Sequence, residues 1–402
     1  MKRFILVGLI ALSVLSSCKQ EKKIQEPSTE QTANETEEET AFFVADPQEV
    51  PAQEVSTLKI GEKAPDFRLP GVDGKFHSLN DYDTAEVLVV VFTCNHCPTA
   101  QAYEDRIIQL TTDYKDKGVQ LIAISPNAVN ALLLKELSYS DLGDSFEDMI
   151  VRANDKGYNF PYLYDGDTHG VSLKYGPIAT PHTFVFNKKR ELTYTGRLDT
   201  SEKPGTANAE DLRNAIDNTL KNVAVADAVT KTFGCSVKWA WKNEYRKKIN
   251  KEWAAKEVTL APVDENGIKA LFANDSDKLR LINLWATWCG PCVQEFPDFV
   301  EIHRMYEDRD FEFVSISADN LKSEKRALKF LQKEHAAVTN YIFSGADKYA
   351  MIEAVDPEWD GALPYTALVE PGGTIVYRKM GTITPFELKK AIVDHPLMGR
   401  YY

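Results

Sequence analysis

The sequence lacks three features that would each define a large class of proteins. Six cysteines in 402 residues are too few for a disulfide-stapled scaffold of this size. Acidic residues outnumber basic ones by 60 to 47, so there is no basic footprint for nucleic acid, and no DNA or RNA partner is expected. The N-terminal apolar run, residues 4–15, is shorter than the roughly 20 residues of a membrane-spanning helix. The length instead fits two or three domains of roughly 150 residues.

The N-terminus has the pattern of a targeting segment. A positive start, Met1-Lys2-Arg3, precedes the apolar run, so residues 1–17 are predicted to be a signal peptide. The run ends in Leu15-Ser16-Ser17-Cys18, which resembles the lipobox of bacterial lipoproteins. This resemblance implies a lipidated Cys18 and an extracytoplasmic, lipid-anchored protein that faces the periplasm. The alternative is an ordinary secretory signal with an incidental cysteine.

Residues 18–57 are predicted to form an acidic, disordered tether. Between residues 19 and 55, ten acidic side chains stand against three lysines, a net charge of −7, and apolar residues are few. Such a segment cannot bury enough surface to offset the entropy lost on ordering. An acidic tail that binds a partner is the alternative.

Four of the cysteines form two C-x-x-C pairs in similar surroundings, Cys94/Cys97 and Cys289/Cys292. Each pair follows an apolar run typical of a strand buried on both faces, and each precedes residues with helical spacing. The later order of strands and helices also repeats, and Pro181 and Pro364 precede the corresponding late hairpins. The sequence therefore predicts a tandem α/β architecture with domains at 58–229 and 257–402, joined by a Lys- and Trp-rich linker at 230–256.

Both halves resemble branches of one superfamily. Trp285–Cys292, read as W-A-T-W-C-G-P-C, resembles the active site of thioredoxin. With Glu295 and Pro297 it is closer to the membrane-tethered TlpA/ResA-type thiol-disulfide oxidoreductases. In the first half, residues 61–67 (G-E-K-A-P-D-F) are similar to the redoxin, or peroxiredoxin-like, branch, and 234–239 (G-C-S-V-K-W) resembles one group within it. The resemblance implies two thioredoxin-like folds, each a central mixed β-sheet flanked by helices.

The resemblance also implies the chemistry, which is exchange of dithiols and disulfides with protein substrates and a membrane-embedded electron donor. No organic cofactor is implied. Cys94 and Cys289 are the expected nucleophiles, because the N-terminus of the following helix would stabilise a thiolate at the first cysteine. Cys97 and Cys292 would then resolve the mixed disulfide. Pro181 and Pro364 match the cis-proline that faces the sulfurs in the superfamily.

Other residues are expected to assist unequally in the two domains. Asn283 stands where thioredoxin has a buried aspartate, so Glu295 is the expected proton acceptor for Cys292. The first domain has no acid at the equivalent positions, which leaves His96 or His182. A charged His96 would stabilise the reduced form and make the first disulfide the more oxidising one, so electrons would run from the second domain to the first. A solvent-exposed His96 without effect is the alternative.

Three further interpretations remain open for the first domain. It could be a thiol peroxidase recycled by the second domain, although Val90 and Cys94 replace the proline and threonine of the peroxiredoxin motif that ends at Cys97. It could also be a non-catalytic binding module. Cys235 is either a resolving thiol or an inert buried one. A zinc site formed by Cys94, His96, Cys97 and Cys235 is disfavoured by the geometry of adjacent His and Cys ligands, and no metal is predicted.

Overall fold

The structure is a computed structural model that describes residues 43–400. The predicted signal peptide, Cys18 and residues 19–42 of the predicted tether lie outside this range. Residues 43–57 follow the surface of the first domain, where the Phe43 ring packs 4.9 Å from that of Phe146 and the Asp46 amide donates to Asp167. This differs from the predicted disorder, because one partly buried aromatic ring and a few amide hydrogen bonds fix an otherwise polar segment.

From residue 43 to 256 the described chain forms nine strands and five helices. The strands are β1 (Arg68–Pro70), β2 (Phe76–Ser78), β3 (Val87–Phe92), β4 (Val119–Ser125), β5 (Tyr162–Tyr164), β6 (Ala179–Thr180), β7 (His182–Phe186), β8 (Leu192–Gly196) and β9 (Cys235–Ser236). The helices are α1 (Pro98–Tyr114), α2 (Phe146–Lys156), α3 (Ser172–Tyr175), α4 (Glu210–Leu220) and α5 (Asn243–Ala254). Short 3₁₀ turns include Val129–Ala131 and Leu134–Leu137.

The remaining described chain, 257–400, forms six strands and five helices. The strands are β10 (Ala261–Val263), β11 (Leu279–Trp285), β12 (Phe311–Ser317), β13 (Thr339–Phe343), β14 (Tyr365–Val369) and β15 (Ile375–Met380). The helices are α6 (Glu265–Ala273), α7 (Gly290–Tyr306), α8 (Glu324–Lys333), α9 (Lys348–Val355) and α10 (Pro385–Val393).

Each domain is organised around one mixed sheet, as the sequence predicts. The strand orders are β5-β4-β3-β7-β8 and β10-β13-β12-β11-β14-β15. In each sheet one strand, β7 or β14, runs antiparallel to both of its neighbours, and all the other pairs are parallel. Alternate residues of β3 enter the two separate cores that helices and loops form on its faces. Strands buried on both faces therefore appear in the sequence as continuous apolar runs. Both C-x-x-C pairs follow the central strand of their sheet.

The segment predicted to be a linker, 230–256, is instead an integral part of the structure. The Thr230 amide donates to the Thr195 carbonyl, and β9 pairs with β6 beside the first cysteine pair. Further along, the Ala240 amide donates to His169 Nε2 at 2.8 Å. Burial lowers the pKa of His169 to about 4, which keeps this imidazole neutral. Helix α5 then reaches the second domain, where Trp253 donates to the His335 carbonyl at 3.0 Å.

The loop before α2 joins the two domains directly. Arg400 forms a two-pronged ion pair with Asp141 at 2.7 and 3.0 Å, and Tyr306 at the end of α7 donates to the Ser140 carbonyl. Leu132 and Leu137 of the first domain lie within the core cluster of the second. A paired arginine fork and a shared apolar core together give a fixed interface rather than two independent domains.

Candidate active sites

The position of one proline determines which cysteine begins the helix in each domain. In the first domain Pro98 follows the second cysteine, so Cys97 is the N-cap of α1. In the second domain Pro291 lies between the cysteines, so Cys289 is the N-cap of α7 and its sulfur accepts the Cys292 amide at 3.3 Å. Proline is favoured in the first helical turn, where its missing N–H costs no hydrogen bond. The helix N-terminus, which stabilises a thiolate, therefore lies at the second cysteine of the pair in the first domain, Cys97, and at the first cysteine in the second domain, Cys289.

The dipeptide between the first pair of cysteines is buried and fixed by a carboxylate that the sequence did not reveal. Asn95 and His96 are each 1% exposed, and both of their amides donate to Asp144 Oδ1, at 2.9 and 3.0 Å. His96 Nδ1 lies 2.6 Å from Asp144 Oδ2, which also accepts from Asn127. Burial alone would lower the pKa of His96, but its ion pair with Asp144 outweighs this and raises it.

His96 is thus a buried residue paired with a carboxylate rather than a solvent-exposed one. Its counter-ion, Asp144, keeps a lowered pKa despite complete burial, because His96 and several hydrogen bonds favour the carboxylate. The other candidate base, His182, is also buried, and its pKa is lowered to about 4 by that burial. His182 Nδ1 accepts the Ile178 amide and Nε2 meets the Thr195 hydroxyl, so its role is structural.

The two thiols of the first pair are inequivalent in the order opposite to the predicted one. Burial and a hydrogen bond to Cys97 raise the pKa of Cys94 well above that of an ordinary thiol. Burial would also raise the pKa of Cys97, but hydrogen bonds from Cys235 and Cys94 and the charge of His96 lower it well below the ordinary value. These directions favour the thiolate at Cys97 rather than at Cys94. The expectation of Cys94 as nucleophile assigns the helix N-terminus to the first cysteine of both pairs, although α1 begins at Pro98, as the helical spacing predicts.

Thr180, which precedes Pro181, contacts both sulfurs of the first pair. Its hydroxyl lies 3.1 Å from Cys94 Sγ, and its carbonyl oxygen lies 3.3 Å from Cys97 Sγ, where a protonated Cys97 would donate. The Thr180–Pro181 and Leu363–Pro364 peptide bonds are both cis, as the resemblance implies. Pro181 directly precedes β7, and Pro364 directly precedes β14.

One group in the described part of the chain has the composition of a metal site. Ligand atoms of Cys94, His96 and Asp144 lie within 4.8 Å of one another, and all three residues are buried. However, each oxygen of Asp144 already accepts two hydrogen bonds, and His96 Nδ1 is committed to one of those oxygens. A metal ion would have to displace this network, so we assign the group to hydrogen bonding.

The second pair is a disulfide, Cys289–Cys292, at the start of α7. Gly290 and Pro291 between its cysteines are exposed, unlike Asn95 and His96. Trp288 beside it is 64% exposed and lines an open groove of about 460 Å³ that extends to Leu363. Apolar side chains that line this groove also include Leu321, Met351, Ile352 and Trp359.

Glu295 is the acid of the second site. It lies three residues after Cys292 on α7, so the two side chains share one face of the helix. Burial raises the pKa of Glu295 to about 7, and the nearby Asp298 adds to the shift. Oε2 accepts the Ile383 amide, whereas Oε1 is buried and meets no donor in the described part of the chain. Asn283 donates to Thr366 and provides no acid.

We expect Glu295→Gln to remove a pH-dependent step near neutrality. Below about pH 7 the Glu295 carboxyl is protonated and cannot accept the Cys292 proton, so the rate of disulfide formation should rise as the pH passes through 7. In Glu295→Gln this rise should vanish, and at pH values above 7 the rate should be lower than that of the wild type by about tenfold or more. Asp298→Asn is the matched control, because it should keep the rise and shift it to lower pH. A wild-type profile in Glu295→Gln would exclude the role.

The two sites do not meet. Cys289 begins α7, whereas Tyr306, its last residue, bonds to Ser140 in the loop beside the first site. A helix of these 17 residues is about 25 Å long. Gln101, next to the first cysteine pair, bonds both Ser140 and the Asn95 carbonyl, which places that pair near the distant end of α7. Direct electron transfer from Cys289/Cys292 to Cys94/Cys97 is therefore not possible in this arrangement.

Comparison with protein-family models agrees with this architecture. Residues 60–195 match the AhpC/TSA family, and residues 250–392 match the Redoxin family. The chain therefore carries two thioredoxin-like domains, each of which is similar to one of these families.

Among curated proteins, the chain is similar to thiol-disulfide oxidoreductases, and the homology concerns the C-terminal domain. Thiol-disulfide oxidoreductase ResA of Bacillus subtilis (strain 168) is 28% identical over 121 residues, 30% of this chain and 63% of ResA. Thiol:disulfide interchange protein CycY of Rhizobium leguminosarum bv. viciae is 30% identical over 148 residues, 35% of this chain and 66% of CycY. The chain thus spans somewhat less than two thirds of the length of either relative.

Solved structures align with about half of the chain. An uncharacterized conserved protein from Geobacillus kaustophilus is 34% identical, with a TM-score of 0.41, and covers 47% of this chain and 97% of its own. Hypothetical protein SMc02350 from Sinorhizobium meliloti 1021 is 29% identical, with a TM-score of 0.41, and the alignment covers 46% of this chain and 97% of that protein's chain.

Proposed function

We propose that the protein is an extracytoplasmic, membrane-anchored thiol-disulfide oxidoreductase that exchanges dithiols and disulfides with protein substrates at two C-x-x-C sites. The observation that carries the proposal is the Cys289–Cys292 disulfide at the N-terminus of α7, beside the exposed Trp288 and an open groove lined by both apolar and polar side chains. Such a groove suits an extended client chain next to the reacting sulfur. The likeness to ResA and CycY, whose names describe this chemistry, supports the same activity.

The second site suits a two-step exchange. The Cys289 thiolate attacks a sulfur of the client disulfide, and the other client sulfur leaves as a thiol. Glu295 then accepts the proton of Cys292, which attacks the Cys289 sulfur and releases the reduced client. The disulfide so formed is the one that the structure contains, and a membrane-embedded dithiol donor would return it to the reduced state.

Trapping of clients tests this proposal. Cys292→Ser lacks the resolving thiol, so mixed disulfides between Cys289 and client proteins should accumulate and be visible by non-reducing electrophoresis. Cys289→Ser is the matched control and should trap no clients at this site. Equal trapping by both variants, or by neither, would contradict the assignment of Cys289 as the attacking cysteine.

Anchoring by Cys18 is part of the proposal and rests on the sequence alone. Among the residues that the structure describes, no helix has the length and apolar character needed to cross a membrane. Cys18→Ala should block incorporation of a labelled fatty acid and release the protein from the membrane fraction. Continued labelling of this variant would show that the lipid is attached elsewhere or that the lipobox resemblance misleads.

A thiol peroxidase reaction at Cys97 is a second candidate. The match of residues 60–195 to the AhpC/TSA family and the lowered pKa of Cys97 at a helix N-cap favour it. Against it, Val90 and Cys94 occupy the motif positions of the proline and threonine, and Cys97 is fully buried. Peroxide reduction that depends on Cys97 and outpaces an ordinary thiol by orders of magnitude would favour this candidate.

A further inference from the structure

The edge of the sheet beside the first cysteine pair is occupied by the chain itself. Strand β9 pairs antiparallel with β6, so that Cys235 lies opposite Thr180, the residue before Pro181. Extended peptides bind other proteins by adding a strand to an open edge of this kind. In the described part of the second domain, Leu363, which precedes Pro364, pairs with no strand. The 234–236 segment therefore takes the place in the first domain that the second domain leaves open for a client.

The backbone at this position is built for close approach. Gly234 has φ +132°, and a Cβ atom there would lie 2.1 Å from the Thr180 carbonyl oxygen. Only glycine permits this contact. Beyond β9, the Lys238 amide donates to Asn127 at 2.8 Å, and its ammonium group pairs with Glu136 at 2.6 Å. The segment is thus fixed on both sides of Cys235.

Cys235 and Cys97 are direct neighbours. The Cys235 amide donates to Cys97 Sγ at 3.4 Å, and Cys235 packs against the cluster of Cys94, Cys97 and Ala100. Cys97 thus lies between two thiols, Cys94 on its own loop and Cys235 on β9, and the interaction of Cys97 with Cys235 raises the pKa of Cys235 while it lowers that of Cys97. Cys94 and Cys97 are 2% and 0% exposed, whereas Cys235 is only partly buried.

We propose that Cys235 is the exchange partner of Cys97 and links the buried Cys94/Cys97 pair to external disulfides. This inference rests on the proposed dithiol–disulfide function of the first domain. It makes the three cysteines one redox unit and assigns β9 as a built-in substitute for a client strand.

The exchange balances without a further oxidant. Cys235 passes its proton to the neighbouring Cys97 thiolate and attacks an external disulfide, which forms a mixed disulfide; the leaving sulfur takes that proton back from Cys97 and departs as one thiol. The Cys97 thiolate then attacks the Cys235 sulfur, which forms the Cys97–Cys235 disulfide and releases the second external sulfur as a thiolate that takes a proton from water. Finally, Cys94 attacks Cys97, which forms Cys94–Cys97 and returns Cys235 to the thiol state, with the Cys94 proton passing to Cys235. The net result is one external disulfide reduced and one dithiol oxidised.

The test uses the full chain with Cys289→Ser and Cys292→Ser, so that only the first domain reacts. Oxidised glutathione serves as the external disulfide, and free thiols are alkylated at intervals before peptide mapping by mass spectrometry. Glutathione should appear first on Cys235, followed by peptides joined through Cys97–Cys235. Adding Cys235→Ser should slow the oxidation of Cys94 and Cys97 at least tenfold, whereas Lys231→Ala, at an exposed position before β9, should not.

The possible failures are distinguishable. Formation of Cys94–Cys97 at an unchanged rate in Cys235→Ser, with no Cys97–Cys235 linkage in the parent, would overturn this inference and leave the proposed function intact. Absence of any disulfide in the first domain would overturn both. Cys235→Ala should behave as Cys235→Ser does, and circular dichroism of both variants shows whether either has lost its fold. If both have, the order in which peptides are modified in the parent protein still tests the inference.

Discussion

Cys97→Ser should abolish the thiolate of the first domain at neutral pH, whereas Cys94→Ser should retain it. Cys97 is the N-cap of α1, lies near His96 and accepts hydrogen bonds from its neighbours, while the pKa of Cys94 is raised. An ordinary thiol with a pKa of about 8.5 is only a few per cent ionised at pH 7, so the ultraviolet thiolate signal should fall by roughly tenfold or more in Cys97→Ser.

The comparison of the two variants controls for the loss of a sulfur. Both remove one buried thiol from the same loop, so a general disturbance of packing would affect them alike. The measurement is a pH titration of thiolate absorbance in the full chain with Cys289→Ser and Cys292→Ser. If Cys94→Ser removed the thiolate absorbance and Cys97→Ser kept it, Cys94 would hold the thiolate, and the position of Cys97 at the helix N-cap would not determine which cysteine ionises.

Cys289→Ser should lower the reduction of insulin disulfides, with dithiothreitol as donor, by more than about a hundredfold. Cys289 caps α7, and no other cysteine of the described chain lies beside an exposed indole and an open groove. The buried first pair, closed by β9, should contribute little with a substrate as large as insulin.

Cys292→Ser gives the informative contrast in the same assay. It keeps the attacking sulfur, so the first turnover should produce a mixed disulfide and catalysis should then stall. Insulin reduction that survives in Cys289→Ser would show that another thiol, of which the partly exposed Cys235 is the first to examine, attacks protein substrates directly.

The fold could be predicted because its main signals are local. The apolar run of β3, the helical spacing after Pro98 and the same sequence of features around Cys289 each arise within one element. Burial on both faces of a central strand produces such runs directly. The prolines of the two late hairpins needed the family resemblance as well, since sequence spacing alone does not predict a cis bond.

The arrangement of the first site could not be predicted in the same way. Asp144 lies 48 residues beyond His96, and nothing in its Gly-Asp-Ser surroundings points to a histidine so far away. The assignment of 230–256 to a linker fails for a similar reason. Its Lys-rich composition resembles an exposed connection, whereas two backbone details, the positive φ of Gly234 and the pairing of Cys235 with Thr180, place it in the site.

Pro98 marks the start of α1 and so indicates that Cys97 is the N-cap of that helix. Equating Cys94 with Cys289 because each is the first cysteine of its pair hides this difference. Treating Cys94 and Cys289 as equivalent assigns both to a helix N-terminus, but proline in the first turn places the N-cap at Cys97 in one case and at Cys289 in the other. The two domains therefore share a fold and differ in the cysteine that the helix activates.

Thiol counting of the full chain across graded glutathione buffers tests the central claim most directly. Two separate transitions should appear, each with the loss of two thiols, and peptide mapping should assign one to Cys289 and Cys292 and the other to the set of Cys94, Cys97 and Cys235. A single transition confined to Cys289 and Cys292 would contradict the account, because the first domain would then be a binding module and not a second site of disulfide exchange.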